Sequence, residues 1–165
     1  MGLETFSEHQ FFFLRTGVNN PLTGSVVPVK GTIEDPKTIT GVQITKSTGK
    51  TVLCDSNVSL MVQKQNHYVL DSTGMELRKV MSVSGQNITL QAGFTDDITS
   101  AEPLKIVEGG RYKKVKITNT HSSANASING VAIKPGEIIE REFARGCAPV
   151  YYDATGGELL FELSE

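Results

Sequence analysis

Few side chains of this sequence stand at spacings that would support catalysis. Its three histidines are His9, His67 and His121, and none lies in a recognised motif with a serine or cysteine nucleophile. Such a nucleophile needs an adjacent base, so isolated histidines predict no acyl-transfer site. We interpret His67, at the start of a predicted strand, and His121, in a polar loop, as ordinary exposed or hydrogen-bonded histidines. The sequence therefore predicts no catalytic residues and a protein that is not an enzyme.

Metal and nucleotide sites also lack their usual signals in the sequence. The nearest approach to a metal site is Asp96-Asp97, which lacks the alternating carboxylates and the glycine of a calcium loop. We interpret this pair as part of a solvated loop. No glycine-rich segment follows a predicted strand and opens a helix, so no phosphate-binding loop is expected. The sequence predicts neither a metal nor any other cofactor.

The two cysteines, Cys54 and Cys147, lie far apart in the sequence. A pair this sparse forms neither a disulfide framework nor a zinc site with ligands at short spacing. We expect both cysteines to be reduced, partly buried thiols.

Charge and hydrophobicity bear on the classes of partner. The 165 residues carry a formal net charge of −2, which creates no overall field to attract nucleic acid or an anionic membrane. The apolar cluster Phe11–Leu14 is too short to span a bilayer, and Glu4, Glu8 and His9 precede it in place of basic residues. We expect no nucleic-acid partner, no membrane partner and no signal peptide.

One basic cluster stands out in the second half of the chain, formed by Arg111, Lys113, Lys114 and Lys116. On a strand, Lys114 and Lys116 share one face, while Arg111 and Lys113 share the other. Two interpretations remain open: a strand kept soluble by its charges, or a patch that meets an acidic neighbouring protein. On the second interpretation, Lys114 and Lys116 are candidate interface residues.

The periodicity of the chain predicts an all-β protein. No long stretch has apolar residues at helical spacing together with plausible caps. Short β-prone runs separated by turn residues recur instead, at the spacing of a small barrel or sandwich. These runs are Ser25–Val29, Thr38–Thr45, Thr51–Cys54, Val58–Val62, Tyr68–Leu70, Leu77–Val83, Ile88–Leu90 and Leu104–Val107.

A second set of predicted strands follows a break at Glu108–Gly110. Asn129-Gly130 predicts a two-residue hairpin, because both central residues of such a turn favour positive φ. The segment Lys134–Glu137 contains Pro135-Gly136 and predicts a type II turn. In the last strand, Leu159–Leu163, every second residue is apolar. Six strands in about 56 residues predict a compact antiparallel sandwich that needs support from its neighbouring module or a partner chain.

Residues 1–25 are predicted to form an N-terminal arm, in which Phe11–Leu14 can form one short strand. Two roles remain open: this strand closes the protein's own sheet, or the arm docks on a neighbouring subunit. On the docking interpretation, Phe11, Phe12 and Phe13 are candidate interface residues. The predicted organisation is an arm over residues 1–25, a β-barrel or sandwich module over residues 26–108, and a small antiparallel β-sandwich module over residues 109–165.

Two stretches resemble small all-β structural proteins of tailed-bacteriophage virions, of the type that decorates capsids or serves as a neck or tail adaptor. They are LDSTGMELRKVMSVSGQNITLQAGFT, and KVKITNTHSSANASINGVAIKPGEIIEREF followed by APVYYDATGGELLFEL, and they cover about half of the chain. The likeness lies in short turn-rich β-modules and the NGVAIKPGE hairpin. It implies a non-enzymatic structural role and carries over no active-site residue.

The resemblance also implies partners and a location. The partners are other virion proteins, such as capsid, neck or tail subunits, and the protein is a homo-oligomer or is repeated in copies by a symmetric scaffold. The implied location is the virion, after synthesis in the host cytoplasm.

A carbohydrate- or receptor-binding β-module is the alternative function. Sugar-binding surfaces usually present exposed aromatic side chains. The chain has no Trp and only four Tyr, of which Tyr151 and Tyr152 are the best placed. Tyr151 therefore joins Lys114 and Lys116 as a candidate interface residue on the faces of the second sandwich.

Overall fold

A computed structural model describes residues 11–18, 26–34, 36–64, 66–71, 76–142 and 148–165. Every element of regular secondary structure in these ranges is a β-strand, which confirms the predicted all-β class. In this part of the chain no helix has the length and apolar character needed to cross a membrane. The strands are β1 Phe11–Arg15, β2 Lys30–Thr32, β3 Lys37–Thr48, β4 Thr51–Cys54, β5 His67–Asp71, β6 Glu76–Ser84, β7 Asn87–Leu90, β8 Glu102–Glu108, β9 Lys114–Asn119, β10 Ala126–Ile128, β11 Val131–Ile133, β12 Ile138–Glu142, β13 Tyr151–Asp153 and β14 Leu159–Ser164.

The chain divides into two compact units, one spanning Thr32–Gly109 and the other formed by the described residues before and after it. The first unit is a closed barrel with the strand order β3-β4-β7-β6-β5-β8, in which β8 pairs back onto β3. Closure leaves no strand of this sheet with an unpaired edge. The interior is filled mainly by β-branched and leucine side chains, including the fully buried Ile44, Val52, Val80, Ile88 and Leu104.

One predicted strand of the barrel region is a turn. The N–H groups of Met61 and Val62 both donate to the carbonyl of Val58, which coils the segment Val58–Val62. Val58 and Val62 are buried, whereas Leu60 between them is 97% exposed. The strand prediction was wrong here because a tight turn whose two ends reach the core also produces apolar residues at short intervals.

The second unit is a sandwich of two four-stranded sheets, with the strand orders β1-β14-β9-β12 and β11-β10-β13-β2. The ring of Tyr152 on β13 packs against the ring of Phe161 on β14, with centroids 4.9 Å apart. Leu159 and Leu163 lie on the same buried side of β14 as Phe161. The alternation predicted for the last strand is confirmed.

The N-terminal strand belongs to the sandwich and is not a separate arm. β1 pairs antiparallel with β14, and Arg15 lies opposite Leu160. The N–H of Thr16 donates to the carbonyl of Leu159, and the N–H of Leu159 donates to the Thr16 hydroxyl, both at 3.0 Å. Of the two roles left open by the sequence, the structure gives the described residues 11–18 the first, a strand that closes the protein's own sheet.

The unit boundaries differ accordingly from those predicted. Residues 26–31 lie in the sandwich unit, although the sequence placed them in the barrel module, and the boundary after Gly109 falls inside the predicted junction at Glu108–Gly110. The six C-terminal strands alone would leave one edge of β14 and one edge of β13 unpaired. β1 and β2 cover these edges, so a sandwich that the sequence predicted to need support receives it from the start of the same chain.

Both predicted turns of the sandwich are confirmed. Asn129 and Gly130 have φ angles of 50° and 79° and join β10 to β11, with Ile128 opposite Val131. In the next turn the N–H of Glu137 donates to the carbonyl of Lys134 at 3.0 Å, and Gly136 has a φ of 78°. This second turn leads the chain from β11 in one sheet to β12 in the other.

Candidate interaction surface

The outer face of the β1-β14-β9-β12 sheet carries the two candidate lysines. Lys116 on β9 lies between Glu140 on β12 and Glu162 on β14, and Lys114 lies opposite Glu142 on β12. Residues directly opposite each other on antiparallel strands point to the same side of a sheet. These five side chains therefore form one charged ladder, with two lysines on the central strand and three glutamates on its neighbours.

The lysines of the charged ladder are engaged within the sheet. Lys114 Nζ lies 3.6 Å from Glu140 Oε1, and Lys116 Nζ lies 3.6 Å from Glu162 Oε2. Exposed pairs of this kind contribute about 0.2–1 kcal/mol each to stability. The acidic neighbour that a basic patch requires is therefore present in the same sheet, and the lysines do not form a separate basic surface.

Tyr151 lies apart from the charged ladder, because it belongs to β13 in the sheet that does not contain Lys114 and Lys116. Its backbone N–H donates to Asn129 Oδ1 at 3.0 Å, and its carbonyl accepts from the Asn129 N–H at 2.8 Å. Its hydroxyl lies over the hairpin, 3.5 Å from the position that a Cβ on Gly130 would occupy. The structure thus does not bring these three candidate residues onto one surface.

The phenylalanine run is placed only by its backbone. Phe11, Phe12 and Phe13 lie opposite Ser164, Leu163 and Glu162 in the pairing of β1 with β14. Their side chains lie outside the part of the protein that the structure describes.

The rim of the sandwich formed by β11 and β12 presents two strand edges. Among the described residues, β12 pairs with β9 alone and β11 with β10 alone. The turn Lys134–Glu137 joins these two strands and keeps them at the same side of the sandwich. Large apolar side chains are exposed on both strands, Val131 at 66% and Ile138 at 54%.

Asn119, at the end of β9, braces this rim. Its buried amide nitrogen Nδ2 donates to the carbonyls of Ala124 and Ile133 at 2.9 Å, and its Oδ1 accepts from the N–H of His121 at 3.0 Å. Its backbone N–H and carbonyl both bond to residues of the turn Lys134–Glu137. We did not identify this role from the sequence, although the sequence contains a signal for it. Asn119 follows Val115 and Ile117 at the spacing of every second residue, so a polar side chain occupies the next inward-facing position of an apolar strand face.

The two described histidines, His67 and His121, are both hydrogen-bonded, which is one of the two environments predicted from the sequence. Nδ1 of His67 accepts from the N–H of Gln63 at 2.9 Å, which leaves Nε2 as the protonated nitrogen that faces Glu108 at 3.3 Å. Nδ1 of His121 accepts from the N–H groups of Ser123 and Ala124. His9 lies outside the described residues.

Cys54 is a buried thiol in the barrel core, in agreement with expectation. Burial, together with the negative charge of Asp55, raises the pKa of Cys54 to about 11. At neutral pH the side chain is therefore the unreactive thiol rather than the nucleophilic thiolate. Cys147 lies outside the described residues.

The barrel unit has an acidic pocket of about 550 Å³. Its carboxylates take part in local contacts: Glu76 Oε2 accepts from the N–H of Thr95 at 2.8 Å and pairs with Arg78 at 3.3 Å, and Asp97 Oδ1 accepts from the N–H of Gly49. Within the described ranges no group of His, Cys, Asp or Glu has the arrangement of a metal site. The carboxylates that line the pocket are Asp71, Glu76, Asp96, Asp97 and Glu102.

The pKa of Glu76 reflects its contacts. Burial raises this pKa, but the hydrogen bonds from Thr95 and the charge and hydrogen bond of Arg78 outweigh burial, so that the net shift is downward. Glu76 therefore remains ionised in the folded protein to a lower pH than a free glutamate does.

The surface with the clearest capacity for binding is the β11–β12 rim, which Asn119 braces and the charged ladder borders. Comparison with protein-family models, curated proteins and solved structures finds no match to this chain.

Proposed function

We propose that this protein is a non-enzymatic structural component of a tailed-phage virion. It acts through subunit contacts, as a capsid decoration or head-surface protein or as a neck or tail adaptor. Its partners are other virion proteins, and it functions as a homo-oligomer or in copies repeated by a symmetric scaffold. The resemblance of its two turn-rich stretches to such proteins motivates the proposal.

The single observation that supports this function best is the β11–β12 rim. A strand that pairs on one side only presents backbone N–H and carbonyl groups to a partner. The hydrogen bonds of Asn119 to Ile133, His121 and the Lys134–Glu137 turn hold this rim in one geometry. A surface that is already ordered before binding loses less conformational entropy on association, which suits a subunit that must dock at a defined angle.

The arrangement of two modules belongs to the same proposal. The buried apolar cluster of the barrel runs from Ile39 to Ile106 and contains barrel residues alone, and β8 and β9, on either side of the boundary after Gly109, lie in different sheets, which supports this arrangement. We propose that the barrel is the rigid body of the subunit and that the sandwich carries the contact edges, because β11 and β12 of the sandwich each pair with one neighbour among the described strands.

The proposal is tested by the protein inventory of purified virions from a phage that encodes this chain. Density-gradient particles analysed by quantitative mass spectrometry should contain the protein at a fixed copy number relative to the major capsid protein. A tagged copy with the substitution Asn119→Leu should be depleted from particles, whereas Ser123→Ala, an exposed change in the same loop, should be incorporated normally. Absence of the unmodified protein from particles would refute the virion role.

The alternative function has its own measurement. A glycan array probed with the purified protein would favour a carbohydrate-binding module if it gave saturable binding that is lost on substitution Tyr151→Ala.

A further inference from the structure

Among the described strands, β12 pairs with β9 alone, and its other edge, called the free edge below, carries a fixed pattern of charges. Along this edge Ile138 and Ile139 are followed by Glu140, Arg141 and Glu142, and all three charged side chains are exposed. Every second residue of a strand that pairs on one side directs its N–H and carbonyl groups away from the sheet. The edge therefore offers backbone hydrogen bonds together with a fixed order of charges.

We propose that this edge binds an extended segment of a partner protein by strand addition. The segment runs antiparallel to β12, with basic residues opposite Glu140 and Glu142 and an acidic or neutral residue opposite Arg141. This inference rests on the proposed function, because it specifies how a subunit contact would be made.

The charges of β12 leave room for such a partner. Glu140 is 3.6 Å from Lys114, but its side chain remains 53% exposed. Neither Arg141 nor Glu142 forms an ion pair with any other residue that the structure describes. A guanidinium nitrogen of Arg141 donates to the neighbouring carbonyl of Glu140 at 2.8 Å. Opposite charges on directly facing residues stabilise antiparallel strand pairs, so a basic side chain facing Glu142 would meet an available carboxylate.

The protein already contains a strand with the required pattern. On its paired side, β12 faces β9, where Lys114 lies opposite Glu142, Lys116 opposite Glu140 and Thr118 opposite Ile138. The free side of β12 presents the same side chains at the same spacing along the strand. A segment with lysines two residues apart, as in β9, can therefore place a lysine opposite Glu140 and another opposite Glu142 on the free edge, as β9 does on the paired edge.

A second copy of β12 is a poor occupant of the edge. Two antiparallel copies related by a two-fold axis must place residues of the same face opposite each other. Pairing centred on Glu140 opposes two glutamates, and pairing centred on Arg141 opposes two arginines and places Glu140 against Glu142. Pairing centred on Ile139 avoids these repulsions but places Glu140 against Ile138. No register centred within β12 therefore places a basic residue opposite Glu140. Like charges directly opposite each other destabilise strand pairs, and charged edges commonly prevent self-association. The pattern therefore favours a different protein.

The test uses the full-length protein and a fluorescent peptide with the sequence of residues 111–120, RYKKVKITNT. The control peptide carries Lys114→Glu and Lys116→Glu. By fluorescence anisotropy we expect the control peptide to bind at least about tenfold more weakly, because two attractions become two repulsions. In the protein, Glu142→Lys should weaken binding of the first peptide about threefold or more, whereas Asp96→Lys, the same charge change on an exposed barrel residue, should not.

Backbone amide exchange separates strand addition from simple ionic attraction. Addition of the first peptide should slow exchange of β12 amides while exchange of β9 amides stays unchanged, which excludes displacement of β9 by the peptide. The inference is overturned if the first peptide does not bind at millimolar concentration, if both peptides bind equally, or if β12 amides gain no protection. If the peptide results are negative but purified virions contain the protein, strand addition is wrong and the proposed virion function stands. If the first peptide binds as expected but virions lack the protein, the virion role is wrong and strand addition stands.

Discussion

Asn119 Nδ2 donates a buried hydrogen bond of 2.9 Å to the carbonyl of Ile133, which ties the end of β9 in one sheet to the end of β11 in the other. The same side chain bonds Ala124 and His121, so one amide orders a loop and a sheet-to-sheet connection. The rim that we propose as the contact surface depends on this amide.

Asn119→Leu should destabilise the protein by about 2 kcal/mol or more, because it leaves buried carbonyl and N–H groups without their partner. Urea denaturation followed by circular dichroism measures the loss. Ser123→Ala, an exposed change in the neighbouring loop, is the matched control and should change stability by less than about 0.5 kcal/mol. Equal effects of the two substitutions would contradict the bracing role.

Thr16→Val should destabilise the sandwich by about 1–2 kcal/mol, because the buried N–H of Leu159 loses its acceptor while the side-chain volume is nearly unchanged. Thr89→Val, an exposed position on β7 of the barrel, serves as the control. Faster amide exchange along β1 and β14 in the variant would locate the effect at this strand pair. If stability and exchange both remain unchanged, the N-terminal strand contributes little to the sheet.

Gly93→Ala should destabilise the barrel by about 1–3 kcal/mol, the range for overpacking. A Cβ at this position would lie 2.7 Å from the backbone oxygen of Gly49, which cannot move as a flexible side chain can. At Gly31, by contrast, the nearest atom would be the Tyr152 hydroxyl at an ordinary 3.6 Å. Thermal unfolding of Gly93→Ala and Gly31→Ala should therefore differ, and identical midpoints would disprove the close approach.

Gly136→Val should cost about 1 kcal/mol or more through the backbone alone, since φ is 78° and nothing lies within 4 Å of the added Cβ. Gly136→Asn should cost less, because asparagine tolerates the left-handed conformation better than a β-branched residue does. Chemical denaturation of both variants tests the turn, and the assignment fails if valine and asparagine are equivalent.

Glu76 should contribute acid sensitivity to the barrel. Its pKa is lowered on folding from its usual value near 4.5, so its stabilisation is fully present above that pH and is lost as pH falls through the lowered value. The free energy of unfolding of the unmodified protein should therefore decrease more between pH 6 and pH 3 than that of Glu76→Gln. Parallel pH profiles for the two proteins would contradict the lowered pKa.

Local chemistry in the sequence was sufficient to determine several elements. The positive φ angles of Asn129, Gly130 and Gly136 follow from residue types that favour such turns, and the alternation Leu159, Phe161, Leu163 reports a strand with one buried face. These features depend on neighbours within a few residues, so the local sequence is enough to predict them.

Bulges show where local patterns are not enough. In β6 the residues Leu77, Lys79, Met81 and Val83 stand at every second position, a pattern that by itself predicts one mostly apolar face. A register shift against β7 between Val80 and Ser82 breaks this alternation. Val80 is fully buried and Val83 packs against the same core, whereas Met81 between them is 48% exposed. The extra residue is defined only by the partner strand, which the sequence of β6 does not specify.

Strand partners were decided by the tertiary structure. The pairing of β1 with β14 joins the two ends of the chain, and the contact of Lys114 with Glu140 exists because β12 lies beside β9. A strand's sequence states which side faces the core, but an edge accepts any strand whose backbone and charges fit. The sequence by itself thus determined an all-β protein with defined turns. Only the folded arrangement decided that the N-terminal strand completes the sandwich, that the lysines meet glutamates in their own sheet, and that β12 pairs with β9 alone among the described strands, because these outcomes depend on contacts between residues far apart in the chain.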